Sequence, residues 1–392
     1  MKKRLICLLV TLCCFVCSFA AAENHILLEG RFLGLLDGNT VSAEAYEADG
    51  KTRIVSSLVP DHVVTADTAS EKWTRLIDLL RYLRPDYLSD AADFLHEEIC
   101  AWFSDRNAET RTGLFAGDLF TEAKTEKQWD VHTADLLTAL RFIRRKAESS
   151  QETGTNRNPL ILKLIDYACA VAEEFSDGPL SFRLKSYDEG KYLVFEVSGK
   201  GGILLTVSAD YSAGTEKRFL ICHAENGKTY YQLFRLSGSG QQTDLNSALY
   251  SSSVPSFYSA ADGKPVLSEQ FIWKTAENGN SASFEITIDS GIAEESLIIR
   301  GTAEYAEEKD SVDADVYFKG SELEGMKVRI EWDGQTIPEE TAKQKELDLR
   351  QPEQANEIQR ILMANMAILA AGVIPSLPVS YQKMINTLLF KK

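Results

Sequence analysis

The chain has 392 residues, with 42 lysines and arginines against 58 aspartates and glutamates, a formal charge of −16 at neutral pH. An acidic surface of this kind repels nucleic acid and anionic lipid, so neither is an expected partner. The length suits two domains of about 150 residues each, with ample apolar residues for a core.

The opening residues, MKKRLICLLVTLCCFVCSFAAAENH, have the layout of a secretory signal peptide. Lys2, Lys3 and Arg4 give a basic start, Leu5 to Phe19 an apolar run, and Ala20, Ala21 and Ala22 a junction of small residues. The run is short for a bilayer span of about 20 residues, which predicts cleavage after Ala22 and export of a soluble protein, to the cell envelope or beyond. Losing the leader leaves 39 basic against 58 acidic residues, a charge of −19. Cys7, Cys13, Cys14 and Cys17 leave with it. Cys100, Cys169 and Cys222 remain, an odd set without metal-ligand spacing, and read as buried free thiols. A Cys100–Cys169 bridge is the alternative.

HILLEGRFLGLLDG (25–38) fits either a short helix or a strand. The following TVSAEAYEADGKTRIVSSLVP reads as a hairpin turning at Asp49-Gly50. Trp73, Leu76, Ile77, Leu80 and Leu83 then recur at helical spacing up to Pro85. Ala92, Leu95, Ile99 and Phe103 mark a second helix, and Leu136, Leu137, Leu140 and Ile143 a third. Asn158-Pro159 opens a fourth through Leu164, Ile165, Ala168 and Val171. A helical layer is thus predicted over roughly 68–176. From Leu180 to about 335 the period is two, with turn pairs at Glu189-Gly190, Asn226-Gly227, Asn278-Gly279, Glu324-Gly325 and Asp333-Gly334. Short strands and tight turns predict an antiparallel meander of about ten strands. ILLTV (203–207), FLIC (219–222) and YYQLFRL (230–236) are apolar on both faces and belong where a sheet is covered twice, whereas SASFEITIDS (281–290) alternates and has one wet face. EETAKQKELDLRQPEQ (339–354) reads as a charged linker, Ile358, Ile361, Leu362 and Leu369 as an apolar helix, and Tyr381, Met384, Ile385 and Leu388 as one face of a last helix. The predicted fold class is α+β: an antiparallel meander sheet packed by an N-terminal helical layer and C-terminal helices. The regions expected are a leader (1–22), a hairpin and helices (23–178), the meander (179–337), and a linker with helices (338–392).

Chemistry is announced mostly by gaps. SGSGQ (237–241) lacks the spacing of a nucleophile elbow, and GKGG (199–202) leads into a strand, not the helix a phosphate loop needs. HEEIC (96–100) starts like a zinc helix but ends in Cys100, and His96 reads as a boundary histidine beside a core thiol. DSVDAD (310–315) resembles part of a calcium loop, yet Asp313 and Asp315 fall on the wet side of a strand. Three features bear on binding. Residues 237–265 read as a long connection whose Tyr250, Phe257 and Tyr258 can line a binding lip or pack onto the sheet. Glu269 sits among Leu267, Phe271 and Trp273, and His223 follows Phe219 and Ile221, so each is an ionisable group on an apolar face. His25 becomes the third residue if cleavage follows Ala22.

No family emerges from these residues and no cofactor is expected. The arrangement is similar in architecture to bacterial carriers that shelter lipid chains in an open half-barrel, without a shared motif. The expectation is a noncatalytic exported protein that binds an apolar small molecule or a protein segment at its curved sheet. An exported hydrolase of wall sugars or peptides, with His223 and Glu269 as its candidate groups, is the alternative from another class, and a surface adhesion module a third. A free amine, two amides and the imidazole of His25 would wrap Cu(II) in a square plane. Copper titration of protein cut after Ala22 should therefore give an amide-nitrogen absorption band, and its absence rejects the His25 site.

Overall fold

Period-two sequence becomes strand, and three-four spacing becomes helix, over most of the chain that the computed structural model describes. The described residues are 25–32, 40–48, 51–67, 82, 84–104, 106–113, 124–154, 158–174, 180–199, 202–225, 228–250, 265–290, 295–306, 309–319, 326–333, 345–373, 378–380 and 382–383. In chain order the first strands are β1 (His25–Phe32), β2 (Thr40–Ala48), β3 (Lys51–Ser56) and β4 (His62–Asp67). Helix α1 (Pro85–Ser104), β5 (Glu109–Gly113), β6 (Lys124–Val131), α2 (Thr133–Glu152) and α3 (Pro159–Glu174) come next. Then come β7 (Ser181–Tyr187), β8 (Tyr192–Gly199), β9 (Gly202–Ala213), β10 (Glu216–Glu225), β11 (Lys228–Ser239), β12 (Gln242–Tyr250) and β13 (Leu267–Thr275). The remainder is β14 (Ser281–Ser290), β15 (Leu297–Tyr305), β16 (Lys309–Phe318), β17 (Met326–Asp333), β18 (Lys345–Asp348) and α4 (Pro352–Val373). The class is α+β with an antiparallel meander. Two compact units divide the chain, residues 1–81 with 275–392 and residues 82–274, so the boundaries do not follow the change of periodicity.

In the first unit the strands lie in the order β14-β15-β16-β17-β1-β2-β3-β4-β18, antiparallel except for β18 beside β4. Of the stretch 25–38, ambiguous in sequence, residues 25–32 form a strand because β17 and β2 offer partners on both sides, and 33–38 lie outside the described residues. Ala48 and Lys51 face each other across Asp49-Gly50, as that turn pair predicts. On β14, Ala282 and Phe284 are buried while Ser283 and Asp289 are exposed. Phe284 lies over Gly301, where an added Cβ would meet its ring at 2.7 Å and the Asp313 carbonyl at 2.2 Å. The wet face is a charge ladder: Arg300 reaches Glu285 at 2.6 Å, Arg329 reaches Asp313 at 3.8 Å, and Lys327 reaches Asp315 at 3.9 Å. The acids that resemble a calcium loop are therefore spread along a strand, with Asp313 opposite Arg329 and Asp315 opposite Lys327. Exposed pairs of this sort contribute at most about 1 kcal/mol apiece.

Helix α4 covers the other end of this sheet. Ile358, with Ile361 and Leu362 beside it, packs against Ile54, Val59, Val64 and Leu347. The Asn365 amide donates to the Leu58 carbonyl at 2.9 Å, which satisfies the polar interruption in the helix. The charged linker expected at 339–354 is thus partly wrong, since it contains β18. A lone Leu347 among charges gives no visible alternation, yet it is 1% exposed, and β4 supplies the register.

In the second unit, β5 to β13 pair strictly in sequence order. Two expectations need correction. The helical layer is interrupted by β5 and β6, whose charged residues hide the alternation carried by Trp129 and Val131. The long connection at 237–265 is half strand: β11 continues to Ser239, Gly240 turns the chain at φ +61°, and β12 runs back to Tyr250. Its small polar residues disguise the period. The helical stripe at Trp73–Leu83 and most of the last predicted helix lie outside the described residues.

Helix α1 crosses one face of this sheet. Lys217, 6% exposed on β10, donates to the Ser89 carbonyl (3.0 Å) and hydroxyl (2.7 Å) and pairs with Asp93 (2.8 Å). The Tyr211 hydroxyl donates to the Ala92 carbonyl at 3.2 Å. His96 bonds the Gly190 carbonyl at 2.7 Å and stacks on Tyr211 at 3.9 Å, while Cys100 packs against Gly190. His96 and Cys100 are therefore fastenings of the helix. No disulfide joins Cys100, Cys169 or Cys222, so the Cys100–Cys169 bridge is not formed. Helices α2 and α3 form an antiparallel pair, buried through Ala139, Ile143 and Ala147 on one and Leu160, Ile161 and Ile165 on the other. The Asn158 side-chain oxygen (Oδ1) accepts from the Leu160 backbone N–H at 3.0 Å, and its Nδ2 donates to the Tyr87 carbonyl at 2.7 Å, so the cap also ties α3 to α1. Among the described residues no helix is long and apolar enough to cross a membrane.

Burial of β18 is checked by two nearby leucines. Leu347→Ala should lower stability by about 2–4 kcal/mol and Leu349→Ala by less than about 0.5 kcal/mol, measured by denaturant unfolding. Equal effects would mean that β18 is not part of the core.

Candidate functional site

The helix-facing side of the second unit's sheet can be read row by row from the strand register. Lys217, Leu236, Leu245 and Phe271 form one row, and Phe219, Phe234, Ser247 and Glu269 the next. Ile221, Gln232, Leu249 and Leu267 follow, then Leu205, His223 and Tyr230. Under α1 the face is closed, with Leu236 3% and Trp273 5% exposed, and the Arg84 guanidinium lies 5.1 Å from the Trp273 ring. Away from α1 the side chains open: Ile221, His223, Gln232, Phe234, Leu249, Leu267 and Glu269 are all half-buried. This open end is where β8, β10 and β12 finish and β9, β11 and β13 begin. Ile203, Leu204 and Val266 belong to it, and among the described residues of this unit they are the large apolar side chains more than a third exposed.

One polar group stands inside the apolar region. Glu269 is directly opposite Ser247, which is buried, and the Gln232 amide approaches the Ser247 hydroxyl at 3.5 Å. Burial among apolar neighbours raises the Glu269 carboxyl above the ordinary glutamate range, and its hydrogen bond with Ser247 lowers it by less. His223 stacks on Tyr230 at 5.3 Å between ring centroids. The register sets His223 on β10 and Glu269 on β13, three strand spacings or about 14 Å apart sideways, so they cannot serve as one acid–base pair.

Tyr250 takes a different place from the lip that sequence suggests. It ends β12 on the opposite face, 9% exposed, in a cluster with Tyr187, Tyr192, Val194, Leu220 and Leu233. Phe257 and Tyr258 lie outside the described residues. His25 starts β1 opposite Asp333 in the first unit, remote in register from the others. That opposite face is also polar where sequence gave no warning. The Tyr187 hydroxyl donates to Glu126 at 3.0 Å, Lys185 pairs with Glu196 at 3.0 Å, and Arg183 with Asp130 at 2.8 Å. Burial, and then the Glu126 carboxylate, push the Tyr187 phenol well up. These acids meet bases or a hydroxyl, an arrangement that holds a sheet together. No cluster of three metal-ligating side chains occurs among the described residues.

Comparison with protein families, with curated proteins and with solved structures finds no match to this chain. Function must be argued from the geometry alone. What the open end offers is an apolar surface with one neutralisable carboxyl, an arrangement suited to holding a molecule with a long apolar part and a small polar head.

The raised carboxyl makes a pH prediction. A glutamate that keeps its proton more tightly when folded stabilises the fold fully below its ordinary range, and this is lost as pH rises through the raised value. Glu269→Gln should therefore melt no higher than wild type near pH 4 and about 1–3 °C higher at pH 8, after allowance for solvent screening. A difference that is constant with pH contradicts burial of this carboxyl.

Proposed function

We propose that this is an exported, noncatalytic binding protein that takes an apolar ligand at the open end of the second unit's sheet. The observation that carries the proposal is convergence. Among the described residues of this unit the exposed large apolar side chains, Ile203, Leu204 and Val266, lie at the end of the sheet where Leu205, Ile221, Leu249 and Leu267 line a half-buried face, while α1 seals the other end. Apolar surface left in water costs about 25 cal/mol per Å2, so a patch continuous with a core is most stable when something covers it. Glu269, Ser247 and Gln232 supply a polar point inside the patch, which fixes the orientation of an amphipathic ligand. Export follows from the leader-like opening and suits the acidic charge. The separation of His223 from Glu269 leaves the hydrolase alternative without the pair proposed for it.

The mature protein should enhance the fluorescence of N-phenyl-1-naphthylamine and release it to palmitate. Leu249→Asp should weaken probe binding about tenfold, equivalent to about 1.4 kcal/mol, by placing a charge on the ligand's path. Unaltered binding in a folded Leu249→Asp variant, or none in wild type, rejects the site.

A further inference from the structure

A second site lies at the other end of α1, within the same unit. Trp102 and Phe103 on the last turn of the helix, Arg106 and Asn107 just after it, Trp129 and Asp130 on β6, and Asp135 on the first turn of α2 enclose a cleft of about 240 Å3. Its walls are set by packing. Trp129 leans on Phe103 with ring centroids 5.3 Å apart, and its indole nitrogen donates to the Arg106 carbonyl at 3.5 Å. Trp102 rests against Phe142 at 4.9 Å and carries the Arg106 guanidinium 4.2 Å from its ring. A neighbouring cleft of about 190 Å3 shares Asp130 and Val131 with the first and adds His132, Ser181 and Arg183. Asp130 lines both hollows and pairs with Arg183 of the second at 2.8 Å.

From this pairing of clefts we infer that the surface binds a neutral disaccharide or a longer chain of pyranose rings, one ring in each hollow. Each hollow is smaller than the roughly 300 Å3 of a site for a drug-sized molecule and suits a single ring. The lining mixes aromatic surface, on which the C–H face of a sugar packs, with planar groups that meet vicinal hydroxyls two at a time. Donors (Arg106, Asn107, Arg183) and acceptors (Asp130, Asp135) stand together, which matches a ligand whose hydroxyls both donate and accept. A cation would compete with Arg106 already over Trp102, and an anion would meet Asp130 and Asp135. This site is separate from the apolar end of the sheet and does not depend on it.

The test titrates the full mature chain with cellobiose, maltose and N,N′-diacetylchitobiose, following tryptophan fluorescence and saturation-transfer NMR. At least one disaccharide should bind with a dissociation constant on the order of 1 mM, and its monosaccharide about tenfold more weakly. Trp102→Ala should weaken that binding at least about tenfold while leaving N-phenyl-1-naphthylamine binding unchanged. If Trp102→Ala fails to fold, Asp135→Ala on the exposed rim serves in its place, with a loss of about fivefold expected. Failure of every disaccharide at about 50 mM, or undiminished binding in the folded variants, overturns the inference. So does preference for a lysine-rich peptide over all sugars.

Discussion

The second unit depends on how one helix is fastened to one sheet. Lys217 is buried on β10 and its ammonium must find partners, because an unpaired buried charge costs several kcal/mol. It finds them in the Ser89 carbonyl and hydroxyl and in Asp93 on α1. Tyr211 and His96 repeat the fastening further along the helix. These contacts fix both where α1 lies and where it does not. The face is sealed beneath the helix and left half-open beyond it, and the open part collects the features that suggest binding.

The first unit solves the same problem with other parts. Its sheet is completed by β1 and covered at one end by α4 through Ile358 and Leu347, with Asn365 satisfied by Leu58. Its wet face is a lattice of alternating charges. Nothing comparable to the Glu269 region interrupts the described apolar face there, so the chemistry of interest belongs to the second unit.

Much of the architecture was legible in the residues, for physical reasons. Ala282 and Phe284 alternate with Ser283 and Glu285 because a strand turns its side chains to opposite faces, and Asp49-Gly50 accepts the turn that joins two such strands. Asn158-Pro159 announced a helix that it caps. Other elements stayed hidden where partners rather than composition decide. Leu347 is one buried side chain in a charged run, β6 is mostly charged, and β12 carries small polar residues on both faces. The candidate site was half legible. Glu269 and His223 stood out as ionisable groups on apolar faces, and the register places both on the same side of the sheet. Their separation, the burial of Tyr250 on the opposite face and the meeting of Trp102 and Trp129 at one cleft are properties of strand order and helix placement, which spacing along the chain does not encode.

The central claim is that the half-open end of the second unit's sheet is a ligand surface and not merely a loosely packed rim. Methyl chemical-shift mapping of the mature protein with palmitate tests it most directly. The account predicts saturable shifts at Leu205, Ile221, Leu249 and Leu267, with Leu347 and Ile358 in the first unit unmoved. Shifts scattered over both units, or confined to residues sealed beneath α1, would contradict it.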